Sequence, residues 1–515
     1  MSKISLMKKV IILIMLPFLL SASYSCKKGL DAKVYGTLNP TNFPKTESDF
    51  ELVVTGVYKL FGSKWGYYSD PGGVPGNLFF GVEFSNVFLN DYATDLIAYF
   101  PEWGGFFAGF SNADFNFMRT LGSDRNHLEK IRFITKFTKI IDDIEKSSIS
   151  DAAKNQLSAE AKSARGIVMY YLLTMYGPVP YLTDPSKIGT DAEKIMARPD
   201  RNTYVSQVES DLRFAADNLD KNAAAYGRFN KGCALTFLAR LYMNEKNWGK
   251  AEAALKEITA LGYGLVNDYA SLFKVATEKN NETIWAVTCD ANANGNEPLG
   301  NVNVWSYYTF PTDYPGNLAA SGKRLGGWGW PGPFTATWTF YDSFDPLDKR
   351  RALLVDRYDA VTNTGDPAGY SMSRANGMRG PVIAKYPDDE TAAYAGNDIP
   401  VCRYADVLLM LAEAINEQSG PTAAAQSYIN EVRKRAGIGD LAGAAIASKD
   451  AFRDAILKER GWELYFEGQR RIDLTRMGKW SQVLSTVGKT PSPGTSLFPV
   501  PQYMQDLGME QTPGY

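Results

Sequence analysis

Histidine is all but missing. One residue in 515, His127, carries an imidazole, so a histidine-based metal site or a Ser/His/Asp triad would rest on that single side chain. It stands beside Glu129 and Lys130 in a charged stretch, which predicts a solvated helix position. Cysteine is scarce too: Cys26, Cys233, Cys289 and Cys402 are the four, and none shows C-x-x-C spacing. Leaving Cys26 aside, the other three are an odd number and read as buried thiols, against a disulfide frame or a zinc site. There is no excess of basic charge, with 55 Lys plus Arg against 57 Asp plus Glu. Lys3, Lys8 and Lys9 fall in the first 25 residues, which hold no acid, so the remainder carries 52 bases and 57 acids and no electrostatic footprint for nucleic acid. Nucleophile elbows, phosphate loops and zincin motifs are absent.

The apolar run from Val10 to Leu20 is too short for a membrane anchor. As a helix it rises about 16 Å, against roughly 30 Å of hydrocarbon. Lysines precede it, and Ser21, Ala22, Ser23, Tyr24 and Ser25 follow it before Cys26, so residues 1–25 read as an export signal. A cysteine directly after a small-residue cleavage region is the arrangement of a bacterial lipoprotein, in which the thiol is acylated and becomes residue one. Ser23 stands where that pattern usually has Leu. Two or three acyl chains, at about 0.8 kcal/mol per buried CH₂, would hold the protein on a membrane. Residues 26–45, with Gly36, Pro40 and Pro44, then read as a tether.

Beyond the tether the chain is long enough for a large core and reads as mostly α. Apolar residues at helical spacing predict helices over 46–62, 124–148, 151–176, 201–219, 229–245, 247–261, 403–418, 421–436 and 449–469, with a weaker one over 84–100. Gly177, Pro178 and Pro180 stop the helix that ends at 176. The pair over 231–261 has a helix, a short Asn-containing turn and a second helix opening on Trp248. That is the grammar of tetratricopeptide-like repeats and predicts a helical repeat scaffold. After about residue 265 periodicity fades. Glu282 to Cys289 reads as a short strand, and 290–400 as a long, Gly- and Pro-punctuated loop region of minor β content, the kind of connection that carries function.

Two charged helices frame the C-terminal part. In RYADVLLMLAEAINE, Arg403 to Glu417, one face is apolar while Asp406, Glu413 and Glu417 are expected to stay wet. In DAILKERGWELYFEGQRR, Asp454 to Arg471, both signs of charge crowd an apolar face. General acid/base work is the alternative use of such groups, but charges at helical spacing read first as a structural ion-pair network.

Aromatics make up 13% of the chain, and their clustering marks a candidate ligand face. Trp305, Trp328, Trp330 and Trp338 fall within the loop region with Tyr307, Tyr308 and Tyr314 among them; Trp338 is the one most readily assigned to the core. Exposed rings that stack on sugars, with amides, carboxylates and guanidinium groups meeting hydroxyls, are what a saccharide site requires. Asp342, Asp345 and Asp348 would suit a glycosidase pair only if two carboxyls approached to about 5 Å.

Several motifs in chain order resemble the SusD/RagB family: Cys26 with Lys27, Lys28, Leu30 and Asp31; the helix ending in MYGPVPYL; the repeat pair; the strand at 283; RYADVLLMLAEA; FEGQRRIDL; and the terminal PGY. The resemblance spans nearly all of the chain after the signal. It implies a SusD-like N-terminal helical repeat region over 46–265 and a C-terminal region over 266–515, loop-rich to 402, helical over 403–470 and ending in a tail. It also implies a non-catalytic lipoprotein, attached to the outer membrane through Cys26 and facing the cell surface. Such a protein captures oligosaccharides for a SusC-like, TonB-dependent transporter, without cofactor or metal. The family's ligand site is built from loops of both regions. Trp65, Tyr67, Tyr68, Asp70, Asn77 and Trp103 are therefore expected to join Asn301, Asn303, Trp305, Tyr307, Arg324, Trp328 and Trp330 on one face. Peptide cargo, as in a RagB-like protein, and a glycan-cleaving enzyme are the alternatives.

Overall fold

Helices begin where a short polar side chain can take up the orphan N–H groups of the first turn. In the computed structural model, which describes residues 43–63, 68–69, 75–76, 79–81, 85–98, 105–122, 126–293, 301–317, 334–387, 395–491 and 496–515, this rule sets most of the long helices. Thr46 and Asp49 form a reciprocal capping box ahead of α1, Glu47–Thr55. After α2, Ile131–Lys146, Ser150 caps α3, Asp151–Tyr176. Asp200 caps α4, Arg201–Asn218, Asn230 caps α5, Lys231–Asn244, and Asn247 caps α6, Trp248–Thr259. Further on come α7, Tyr404–Ser419, then α8, Ala423–Ala436, on Thr422, and α9, Lys449–Leu464, on Ser448. The short α10, Arg470–Arg476, follows. Gly177 ends α3 at φ +77°, a conformation free of Cβ cost only for glycine.

From α2 to α6 each helix packs against the next, α6 packs against α7, and α7 against α8 and α9. The helices before residue 260 and after 403 therefore form one array, the stacked-pair arrangement of a helical repeat. Where α3 meets α4 the approach is close, since a Cβ on Gly166 would lie 2.9 Å from Leu212 Cγ. Thr46–Tyr515 form a single compact unit.

Residues 260–403 leave the array and return to it. Thr283–Val287 (β1) pairs antiparallel with Ile399–Arg403 (β4), Thr283 opposite Arg403 and Val287 opposite Ile399, and this delivers the chain to the start of α7. Between them Arg357–Val361 (β2) and Pro367–Ser373 (β3) form a hairpin, so the region expected as mostly loop carries more strand than its sequence suggests. The segment around Trp338 forms a helical turn, Trp338–Asp342. Trp338 is partly buried, its indole N–H donating to Met378 O at 3.2 Å.

Burial corrects two expectations about charge. α7 is surrounded on all sides from Tyr404 to Asn416, and Asp406 and Glu413 are each 1% exposed. Neither is wet, because arginines from other elements close over them. Asp406 accepts from Arg240 at 2.9 Å and Arg460 at 2.8 Å. Asp473 joins Arg460 to Arg476, and Arg476 grips Glu413 at 2.7 Å. Burial alone would push the Asp406 carboxyl up, but Arg460 and Arg240 together hold it down at about 2. His127 is likewise not solvated but fully buried, its ring stacked on Phe79 at 5.0 Å.

A second buried network is larger. Arg403 reaches Glu282, Glu463 and Glu467 at 2.7 to 2.9 Å, and Arg435 pairs with Glu282 and Glu463. Arg350 joins Asp348, Glu459 and Glu463, Arg433 holds Glu459, and Lys385 holds Glu467. Five bases thus face five acids, and the structural reading of these charges holds. Removing one partner from such a site leaves buried charge unmatched, at a cost of about 3–5 kcal/mol. Arg403→Met should therefore lower the urea-unfolding free energy by that order, while Arg453→Met, at the partly exposed Glu417 pair, should cost under about 1 kcal/mol. Equal losses in the two variants would contradict this account.

Asp91 behaves differently. It is fully buried and accepts the N–H groups of Gly468 at 2.8 Å and Arg470 at 3.1 Å, at the start of α10. Burial raises its carboxyl to about 7, the two amides partly offsetting that rise, with Lys385 also lowering and Glu467 raising it. A folded value above the unfolded one means that the contribution is fully present below about pH 4 and is lost as pH rises through 7. Asp91→Asn does not titrate, so its thermal midpoint should gain on the wild type between pH 5 and pH 8. A difference independent of pH would refute the burial of a titrating carboxyl there.

Candidate functional site

The two sets of loops are stitched together at their ends by backbone and amide hydrogen bonds. At the first junction Ser63 N donates to Asn301 Oδ1 at 3.2 Å, Ser63 Oγ to Val302 O at 2.7 Å, and Val302 N back to Ser63 O at 2.9 Å. Asn303 bridges to Ala395 on the other side. At the second, Ile97 pairs antiparallel with Ala336, and Ala98 N donates to Thr335 O at 2.9 Å. A helical turn, Trp305–Thr309, follows the first junction and touches the start of the second, Phe334 N donating to Tyr308 O at 2.5 Å. Tyr308 stacks on Phe334 at 5.3 Å, and Phe334 in turn meets Tyr92 at 4.5 Å. The described flanks of the N-terminal loops and of the middle loop region therefore lie side by side.

Among the expected ligand residues, Trp65, Tyr67, Asp70, Asn77, Trp103, Arg324, Trp328 and Trp330 lie outside the described residues, as does Cys26. Tyr68 belongs to a two-residue strand, Tyr68–Ser69, paired with Pro75–Gly76. Asn301 is half-buried, and its side-chain oxygen is taken up at the first junction. Three expectations need correction. Trp305 is 1% exposed and meets Phe466 edge-on at 4.8 Å; an indole enclosed in the core presents no face to a sugar. Tyr307 is buried beside it. Asn303 is fully buried, donating to Asn397 O at 3.1 Å and accepting from Trp305 N at 3.0 Å, so its amide acts as a bracket for the turn.

The acids considered for catalysis are engaged in structure. Asp348 is buried against Arg350, Asp342 pairs with Arg374 at 2.8 Å, and Asp345 accepts from Leu347 N at 2.9 Å. Cys233, Cys289 and Cys402 are free thiols, the first and last buried.

Sequence reasoning passed over a cleft of about 390 Å³ at the end of the helix pair α4–α5, between the turn carrying Tyr226 and the turn carrying Lys279 to Asn281. Its connection to the junctions is direct: Tyr226 OH donates to Asp398 Oδ2 at 2.7 Å, and the preceding residue, Asn397, accepts from Asn303. The available signal was positional, since turns at the same end of successive helices in a repeat share a face.

An array of packed helices that presents stitched loop ends defines a helical-repeat scaffold with a loop-built face. The chain belongs to the SusD/RagB family. The SusD family model matches residues 356–512, and a second model, described as starch-binding associating with outer membrane, matches 128–243. SusD-like protein P25 of Formosa agariphila is 28% identical over 503 residues, covering 90% of this chain and 88% of that protein. The starch-binding protein SusD of Bacteroides thetaiotaomicron is 23% identical over 408 residues, 68% of each chain. Surface glycan-binding protein A from Bacteroides thetaiotaomicron, solved with laminarihexaose, superposes with a TM-score of 0.71 at 18% identity, covering 92% of this chain and all of that one. This last likeness speaks for the fold.

The placement of Trp305 makes a prediction that separates packing from recognition. Truncating a buried indole leaves a cavity and costs about 3–5 kcal/mol. Trp305→Ala should lower the thermal midpoint accordingly, and any ligand affinity measured well below that midpoint should stay at the wild-type value. Lost affinity in a protein of unchanged stability would return Trp305 to the ligand face.

Proposed function

We propose that the protein is a cell-surface glycan-binding lipoprotein, held on the outer membrane through acylated Cys26, that captures oligosaccharides and passes them to a SusC-like, TonB-dependent transporter. The observation that carries the reading is the meeting of Ser63 with Asn301 and Val302. It brings the flanks of the loop bearing Trp65, Tyr67, Tyr68, Asp70 and Asn77 to those of the region bearing Arg324, Trp328 and Trp330. Relatives named for starch binding and solved with laminarihexaose support glycans as the ligand class. Binding alone supplies the function: affinity raises the local concentration of cargo at the membrane, and no bond in the cargo is broken.

Affinity electrophoresis against a panel of polysaccharides, laminarin and starch among them, tests this. At least one should retard the protein. Trp65→Ala, Trp328→Ala or Trp330→Ala should weaken retention about five- to tenfold, as expected for loss of a stacking contact of about 1 kcal/mol. No reducing ends should be released. Absence of retardation by every glycan, with saturable heat from oligopeptides, would replace glycan by peptide cargo, and release of reducing ends would make the protein an enzyme.

A further inference from the structure

Two clefts among the described residues mix the two signs of charge. The cleft of about 310 Å³ beside Trp462 sets Asp95 and Asp454 among its lysines and Arg470, and the one of about 350 Å³ near Ile472 sets Glu245 beside its arginines. The cleft of about 390 Å³ differs from these two, with Lys221, Arg228 and Lys279 on its wall and no carboxylate among its described lining residues. Arg228 is neutralised from behind by Glu160 at 2.7 Å and by Glu51. The nearest buried acids are also engaged. Asp398 accepts from Tyr226 OH and from Cys289 N, and Glu278 accepts from Asp398 N at 2.8 Å.

That leaves two ammonium groups, and both are held in place. Lys221 Nζ lies 4.8 Å from the centre of the Tyr263 ring and 3.5 Å from Gly262 O. Lys279 Nζ lies 4.9 Å from the centre of the Tyr226 ring. Neither makes an ion pair among the described residues. A cation resting on a ring gains about 0.5–1 kcal/mol at an exposed site and loses side-chain freedom in advance of binding. Polar groups for hydroxyls share the wall: Asn222 and Asn281, both exposed, the latter donating its Nδ2 to Gly262 O at 3.2 Å. Tyr226, 45% exposed, adds a partly open ring. The volume is at the lower end for small-molecule sites, roughly 300 to 1,000 Å³.

We propose that this cleft is a subsite for an acidic sugar, one bearing a carboxylate or a sulfate, which selects anionic glycans for the neighbouring loop face. The proposal rests on the glycan-binding reading given above. It is argued from three features of the cleft: lysines on a wall that carries no carboxylate, with only the Lys279 charge felt by Asp398 behind it, amides on the same wall, and continuity with the loop junction through Asp398 and Asn397. After residue 25 the chain carries 57 acids against 52 bases, and against that background a local positive field favours an anionic ligand.

Calorimetry on the full mature protein tests it with four probes: an oligogalacturonate, a sulfated galactan oligosaccharide, laminarihexaose as a neutral glycan, and inorganic polyphosphate. One of the two acidic sugars should bind, with affinity falling as salt rises, and which one binds distinguishes carboxylate from sulfate. Lys221→Gln/Lys279→Gln should weaken that binding about tenfold and flatten its salt dependence, while Lys458→Gln, in the mixed-charge cleft, should leave both unchanged. Binding of laminarihexaose, where present, should be indifferent to the double substitution. The cleft proposal falls, with the glycan reading intact, if acidic sugar binds the double variant as tightly as wild type, if polyphosphate competes equally, or if the neutral glycan alone binds. Failure of every saccharide to bind overturns both.

Discussion

Glu463 is the fixed point of the fold. Its carboxylate is fully buried, and desolvation pushes it toward the neutral form, yet Arg435, Arg403 and Arg350 together hold it well below the usual carboxylate range. Each arginine belongs to a different part of the chain. Arg350 lies in the excursion between β1 and β4, Arg403 ends β4, and Arg435 closes α8. A charge that is costly to bury is tolerated only where all three arrive, so one side chain on α9 ties the excursion to the helical array. The net stability of such a site is modest by comparison with a well-packed apolar one, and its stronger effect is on register: a shifted pairing would leave charge unmatched in the interior.

The same logic extends to the loops. Glu282, immediately before β1, shares Arg403 and Arg435 with Glu463, and Tyr404 N donates to Glu282 O at 2.9 Å. Arg470 pairs with Asp95 at 2.8 Å, close to the bridge between Ile97 and Ala336. Lys489 donates to the carbonyls of Tyr92, Thr94 and Ile97, burial lowering its ammonium to about 7. The second loop junction therefore hangs from buried charge contacts supplied by Arg470 and Lys489 of the C-terminal part. The described ends of the loops are placed by the scaffold.

This division explains what could be read from the chain alone. The long helices were legible because their apolar spacing and their caps, Ser150, Asp200, Thr422 and Ser448 among them, are local signals. The strand at Thr283–Val287 was legible for the same reason. What misled was charge on α7. Asp406 and Glu413 sit at helical spacing as any wet acid would, and only the arrival of Arg240, Arg460 and Arg476 from elsewhere makes their burial possible. His127 misled in a similar way, because its charged neighbours Glu129 and Lys130 are themselves buried. In the loops, composition marked the right regions but could not assign individual rings. Trp305 and Phe466 are far apart in sequence, and nothing near Trp305 announces that they meet.

Charge in this protein thus occurs in two conditions, and the contrast gives the cleft its meaning. Arg165, Arg240, Arg350, Arg403, Arg435, Arg460 and Arg470 are interior and each meets a carboxylate, which suits a planar guanidinium that carries several donors in fixed geometry. At the cleft the cations without an ion pair are Lys221 and Lys279, compact charges each set over a phenol ring. A matched pair has no field left to offer, because its charge is cancelled within 3 Å. An unmatched ammonium beside a concave, partly apolar wall projects its field outward, and low-dielectric surroundings concentrate it. The interior networks make the shape reproducible, and the lysines that escape pairing give one part of that shape a sign.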